Sequence, residues 1–231
     1  MRSFYIAVGL FLSLCLSAAE YVHHPAPKEP LYLNTKLYAD FKKGIPGPPL
    51  PKSAKQSEDE AEILRFQKSR TTTDCDSANS EVKVTLTSFF AEPDGPLSTA
   101  STNKLQPFFE QVRNDADYFI QLLKKDFPRQ RPFLYLAKVE PCVPKEVTGA
   151  YPSGHAVLSQ LFAMILSDLY PQHQAALQAR ASVIAQHRVI SGMHHPTDIQ
   201  DGSKLGALVY QELQKSPKFK VDLEKVKKGL I

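Results

Sequence analysis

Between about Ser101 and Gln214 the apolar residues recur every three or four positions, and Pro or Gly closes one run after another. That period belongs to helices with one buried stripe, and it constrains the chain more than any other feature. In the first run Phe108, Phe109, Val112, Ala116, Phe119, Ile120 and Leu123 share a face. The run spans from about Ser101 or Thr102 to Asp126, with Pro128 ending it. A loop rich in Pro, Gly and Thr follows from about Pro141 to Pro152. A strongly apolar helix is predicted from Ser153 to Tyr170, stopped by Pro171. Another runs from about Gln174 to Ile190 and closes at Ser191-Gly192, and a further one extends from near Thr197 to about Gln214. There is no βαβ rhythm and no internal repeat. The predicted class is all-α, a single-domain helical bundle.

The first 56 residues have a different character. Arg2, the apolar stretch Ile6 to Leu16 and the small residues Ser17-Ala18-Ala19 read as a signal peptide over residues 1–19. Its apolar run is shorter than the roughly 20 residues that a membrane span needs. The expected location is therefore periplasmic or secreted, without stable membrane insertion. Residues 20–56 carry Pro25, Pro27, Pro30, Pro46, Pro48, Pro49 and Pro51, which predicts an extended, irregular N-terminal arm. His23-His24 within it has nothing nearby to complete a metal site. Ser57-Glu58-Asp59-Glu60 opens a helix with Ala61, Ile63, Leu64 and Phe66 on its apolar face, and starts the helical domain at residues 57–231. Residues 82–90 alternate like a strand, but with no second strand to pair they are read as helix. Once Cys15 leaves with the leader, Cys75 and Cys142 remain. In an oxidising compartment they are candidates for one disulfide, two unpaired thiols being the alternative.

The formal charge of +4 comes from dispersed Lys and Arg, which argues against nucleic acid as a partner. The chemistry concentrates in three segments. Lys124 stands six residues ahead of Arg131-Pro132. Tyr151-Pro152-Ser153-Gly154-His155 directly precedes the most apolar helix. Arg188 is followed after five residues by His194, and after three more by Asp198. Backbone N–H groups at the helix start favour an anion, and Gly154 allows close approach. Arg131 and Arg188 offer guanidinium forks and Lys124 a compact charge, a set suited to phosphate oxygens. An imidazole attacks phosphorus only when neutral and aimed, and Asp198 on the other nitrogen of His194 would supply that aim. A metal-dependent reading through His194, His195, Asp198 and Asp201 is disfavoured, because the cations would repel the ion.

The three segments resemble the signature of the type-2 phosphatidic acid phosphatase superfamily, which also contains vanadium haloperoxidases. Over most of residues 50–220 the chain is similar to the class A bacterial nonspecific acid phosphatases, including Phe66-Gln67, Asp115-Ala116, Lys124 to Phe133 and Gly149 to His155. The resemblance implies an acid phosphatase acting broadly on small phosphomonoesters through a covalent phosphohistidine. No metal or other cofactor is expected, phosphate and vanadate should inhibit, and self-association is left open. In this scheme Lys124, Arg131, Arg188, Ser153 and Gly154 bind phosphate, and His194 is the nucleophile. His155 is the general acid and base, and Asp198 holds His194. A protonated His155 beside a neutral His194 implies a mildly acidic optimum. Two positions depart from the family. His187 stands where Ser is usual, either donating to phosphate from just behind the site or pointing away, and Ala156 replaces a frequent Thr.

Overall fold

In a computed structural model of the chain, which describes residues 21–22, 26–89 and 99–230, the apolar run after Ser153 becomes α5 (Gly154–Leu169). This helix is buried on nearly every side, as suits a helix with little polar surface of its own. Against it pack α6 (Gln174–Ile190), α7 (Pro196–Leu213) and α4 (Thr99–Asp126). α4 buries Leu105, Phe109, Val112, Ala116, Phe119, Ile120 and Leu123, close to the stripe its spacing predicts. α8 (Pro217–Leu230) returns against α4. Among the described residues, strand structure is one two-residue parallel pair, β1 (Tyr21–Val22) with β2 (Lys145–Glu146). The class is all-α.

α7 approaches α5 unusually closely. A Cβ on Gly202 would lie 2.7 Å from Ser153 O, and one on Gly206 would lie 2.5 Å from Val157 O. Glycine at these positions lets backbone meet backbone, so the start of α7 sits against the start of α5. Asp198 and Ser153 are joined there, with Ser153 N donating to Asp198 O at 3.0 Å.

The N-terminal half departs from its sequence reading in several places. The Pro-rich arm is not wholly irregular: a 3-10 turn at Thr35–Leu37 leads into α1 (Tyr38–Gly44). The stretch between Pro30 and Pro46 is free of proline, and it buries Phe41 edge-on to Phe119 with ring centroids 4.8 Å apart. The arm is pinned by buried Asp115 of α4, which accepts from the backbone N–H groups of Leu31, Tyr32 and Leu33 at 2.9, 2.7 and 3.1 Å. α2 (Ala54–Ser69) begins before Ser57, capped by Ser53, and its buried face is Gln56, Asp59 and Ile63, leaving Ala61 exposed. α3 (Thr72–Ser80) follows behind a Thr71–Asp74 capping box. Residues 82–89 hold a single 3-10 turn, Leu86–Phe89, instead of an α-helix. Their alternation serves to bury Val84, Leu86 and Phe89 while Arg113 takes the Val84 carbonyl. The expected signal peptide and the His23-His24 pair lie outside the described residues.

Candidate active site

α6 ends at Ile190, and the chain folds back so that Met193 N and His194 N both donate to Arg188 O, at 3.0 and 3.1 Å. This turn buries His194 and delivers it to the foot of α7. Arg131 NH1 donates to His194 Nε2 at 3.0 Å. A guanidinium can only donate, so Nε2 keeps its lone pair and the proton resides on Nδ1. Asp198 Oδ2 lies 3.4 Å from that Nδ1, longer than a good hydrogen bond. Burial, with Arg131 nearby, pushes the His194 pKa down to about 3. The imidazole is neutral.

Asp198 has more than one charge to hold. Its Oδ2 accepts from His195 N at 2.8 Å and from His195 Nδ1 at 3.0 Å, and its Oδ1 accepts from Arg129 NH1 at 2.6 Å. Burial opposes ionisation, but the imidazoles of His194 and His195 and the Arg129 guanidinium keep the carboxyl well below its ordinary range. Arg129 reaches onward to Asp59 at 2.8 Å, and Asp59 accepts from Thr197 N at 3.2 Å in the first turn of α7. A carboxylate there satisfies an orphan helix N–H and complements the dipole.

The cations converge as their segments require. Lys124, in the last turn of α4, donates to Gly149 O. Burial first, and then Arg131, lowers its pKa to about 7. Arg131 anchors Nε on Thr148 O at 2.8 Å and NH1 also on Met193 O at 3.1 Å. Arg188 is buried, and its Nε and NH1 have no hydrogen-bond partner among the described residues. Buried donors left this way are costly, and an anion is what would satisfy them. One carboxylate bridges the two forks: Glu146 accepts from Arg131 at 2.5 Å and from Arg188 at 2.7 Å.

His155 lies in the first turn of α5. Its Nε2 lies 3.1 Å from Glu81 O and 3.0 Å from Val82 O. Carbonyls only accept, so Nε2 carries the hydrogen and Nδ1 is the nitrogen left to exchange a proton. Burial, then the Arg188 charge, holds His155 well below the usual imidazole range, and any proton on His194 would act in the same direction. The two rings are thus near enough to feel each other. The Ser153 hydroxyl caps α5 by accepting from Ala156 N at 3.4 Å. Among the described residues a Cβ on Gly154 would meet only Ile120, at 3.7 Å, which leaves room beside that backbone. A cavity of about 400 Å³ reaches this point, bordered by Lys124, Glu146, Gly154 and His155. His187 points elsewhere: its Nδ1 pairs with buried Glu81 at 2.8 Å, and Arg180 holds the same carboxylate. The structure also joins Cys75 to Cys142, with Cα atoms 5.7 Å apart.

Residues 116–217 match the PAP2 superfamily, and that segment contains every member of this cup from Lys124 to Asp198. A non-specific acid phosphatase of Salmonella typhi is 37% identical to the chain over 112 residues, 46% of this chain and 44% of that protein. Another, of Providencia stuartii, is 28% identical over 145 residues, 60% of this chain and 58% of its own. The chain thus spans about half the length of the curated relatives it matches. A transmembrane PAP2 type phosphatidylglycerolphosphate phosphatase from Bacillus subtilis shares the fold, with a TM-score of 0.53 at 17% identity, covering 78% of this chain and 92% of that one. Among the described residues no helix is long and apolar enough to cross a membrane.

The fold brings together Lys124, Arg131, Ser153, Gly154, His155, Arg188, His194 and Asp198, and it turns His187 away. Arg129, Asp59, Glu81 and Glu146 escape a reading of sequence alone, and His195 enters it only through the disfavoured metal reading. Arg129 stands two residues before Arg131, and Asp59 falls on the Gln56–Ile63 face of α2. Only burial of that face gives Asp59 away. Glu146, in a Pro- and Thr-bearing loop, carries no pattern at all.

Proposed function

We propose that the protein is an acid phosphatase that hydrolyses small phosphomonoesters through a phosphohistidine on His194, without a metal. The observation that carries the reading is a neutral, buried imidazole whose Nε2 lone pair is held beside Arg131 in a cup with Lys124 and Arg188. In this mechanism the guanidiniums, Lys124 and the N-terminal N–H groups of α5 stabilise the charge on the phosphoryl oxygens as it moves. Arg131 NH1 turns from His194 Nε2 to a phosphoryl oxygen, and the freed Nε2 lone pair forms a bond to phosphorus as the bond to the ester oxygen breaks. His155 passes a proton from Nδ1 to the leaving alkoxide. The same nitrogen then takes a proton from water, whose oxygen attacks phosphorus and releases phosphate and free His194.

The acidic optimum acquires a different origin from the one expected of the sequence. His155 is held neutral by burial and Arg188, so it does not start protonated. In our reading the proton enters with the substrate: a phosphomonoester loses its second proton at a pKa of about 6, and its monoanion can hand that proton to His155. Export to the periplasm or medium, and inhibition by phosphate and vanadate, belong to the same proposal.

The test is turnover of p-nitrophenyl phosphate with chelator present, by wild type and by His194→Gln. Activity should survive the chelator and be lost in the variant. Radiolabelled phosphate should be trapped on wild type in a base-stable, acid-labile form. Undiminished turnover by His194→Gln would end the reading.

A further inference from the structure

One carboxylate already holds a nitrogen of each guanidinium proposed to bind phosphate. Glu146 spans both guanidiniums, Oε2 on Arg131 at 2.5 Å and Oε1 on Arg188 at 2.7 Å. Arg131 has little else to offer an anion. Its Nε serves Thr148 O at 2.8 Å, and its NH1 serves Met193 O at 3.1 Å and His194 Nε2 at 3.0 Å. The nitrogen held by Glu146, which also reaches Thr148 Oγ1 at 3.3 Å and Gly149 O at 3.4 Å, is not the one that binds His194. Two anions drawn to the same donors repel each other as well as compete for them.

The surroundings allow an exchange. Glu146 sits on β2, whose backbone is paired with β1, so the motion required is confined to side-chain torsions. The side chain borders the cavity of about 400 Å³ that is also lined by Lys83, Arg113 and Lys124. Glu110 and Asp117 border it too, with Lys83 and Arg113 both close to Glu110, so a carboxylate rotated out of the cup enters a cavity of mixed charge.

We propose that Glu146 is an internal competitor for the phosphate-binding guanidiniums. It yields them when a phosphoryl group enters and reclaims them as phosphate leaves, and so sets both the affinity for phosphate and the speed of product release. No covalent bond changes; two charge-assisted hydrogen bonds pass from one anion to another. The inference rests on the phosphatase reading above.

The experiment compares binding of inorganic phosphate by calorimetry in wild type, Glu146→Gln and Glu146→Ala, with p-nitrophenyl phosphate turnover measured alongside. Both variants should bind phosphate at least tenfold more tightly. KM should fall and product inhibition deepen, while kcat stays level or drops. Phosphate affinity that is unchanged or weaker in both variants, with native circular dichroism, would overturn the proposal and make Glu146 a scaffold for the arginines. Should neither variant fold, Glu146→Asp keeps the charge but shortens the reach across the two forks. Tighter phosphate binding by that variant supports the competitor, and unchanged or weaker binding overturns it. Wild type that binds phosphate yet turns nothing over would sink the phosphatase reading alone, since the calorimetric comparison does not depend on catalysis.

Discussion

Arg129 and Lys124 show how individual charges in this cup divide the work. Arg129 touches none of the atoms proposed to react, yet it joins Asp198 at 2.6 Å to Asp59 at 2.8 Å beneath them. Removing one partner from a buried ionic set costs about 3–5 kcal/mol, because the remaining charges stay buried and unpaired. Arg129→Gln should therefore lower unfolding free energy by roughly that amount in urea titration, and should reduce kcat more than it raises KM. A loss under about 1 kcal/mol with kcat intact would remove Arg129 from this role. Lys124 acts by its charge. With a pKa near 7 it is an ammonium below that pH and an amine above it, so anion affinity should decline as pH rises through about 7. Sulfate does not titrate in that range and isolates the effect. Its inhibition constant should rise across pH 7 in wild type and stay flat in Lys124→Arg, whose guanidinium remains charged. The same inflection in both proteins would refute the assignment.

The segments that hold the cup differ in how much of them the sequence discloses. α4, α5, α6 and α7 are legible because each needs only a local rule: a three-to-four spacing, a Ser cap, a Pro or Gly stop. Lys124, Arg131, His155, Arg188 and His194 are legible for a related reason, since their side-chain chemistry has few uses at helix ends. α1 was hidden by the prolines around it, and α3 by a composition of Thr, Asp, Ser and Asn. The Arg129–Asp59 and Glu146–Arg188 pairs were hidden by distance along the chain, which no local pattern records. The Cys75–Cys142 bridge works at this level. It fastens α3, whose following residues Glu81 and Val82 aim His155, to the loop that carries Glu146. Closing a loop with a sequence separation of 67 residues should contribute about 2–4 kcal/mol, mainly by restricting the unfolded chain. Cys75→Ser with Cys142→Ser should lose that much stability in urea without abolishing turnover. Equal stability of the bridged and serine forms would contradict it.

Taken whole, the molecule buries a cup whose charges oppose one another, and its stability must depend on pH and on anions together. His194 is held to a pKa of about 3, against roughly 6.5 for a free imidazole. Between those values the unfolded chain binds a proton that the folded chain refuses, so stability is full above about pH 6.5 and falls as pH drops toward 3. His155, also held low by burial and by Arg188, pulls in the same direction. A bound phosphate reverses the local balance, because its negative charge favours protonated imidazole and charged Lys124. It should therefore stabilise the protein most where those groups most need an anion. Phosphate at a hundred times its dissociation constant contributes about 2.7 kcal/mol, which for a chain of this size raises Tm by roughly 5–10 °C. At a fixed phosphate concentration the rise should be larger at pH 5.5 than at pH 8.5, where Lys124 has lost its proton. Thermal melts at both values, with sulfate added as a second anion, measure the difference directly. A Tm increment as large at pH 8.5 as at pH 5.5, for both anions, would mean that the buried cup does not carry the charges assigned to it.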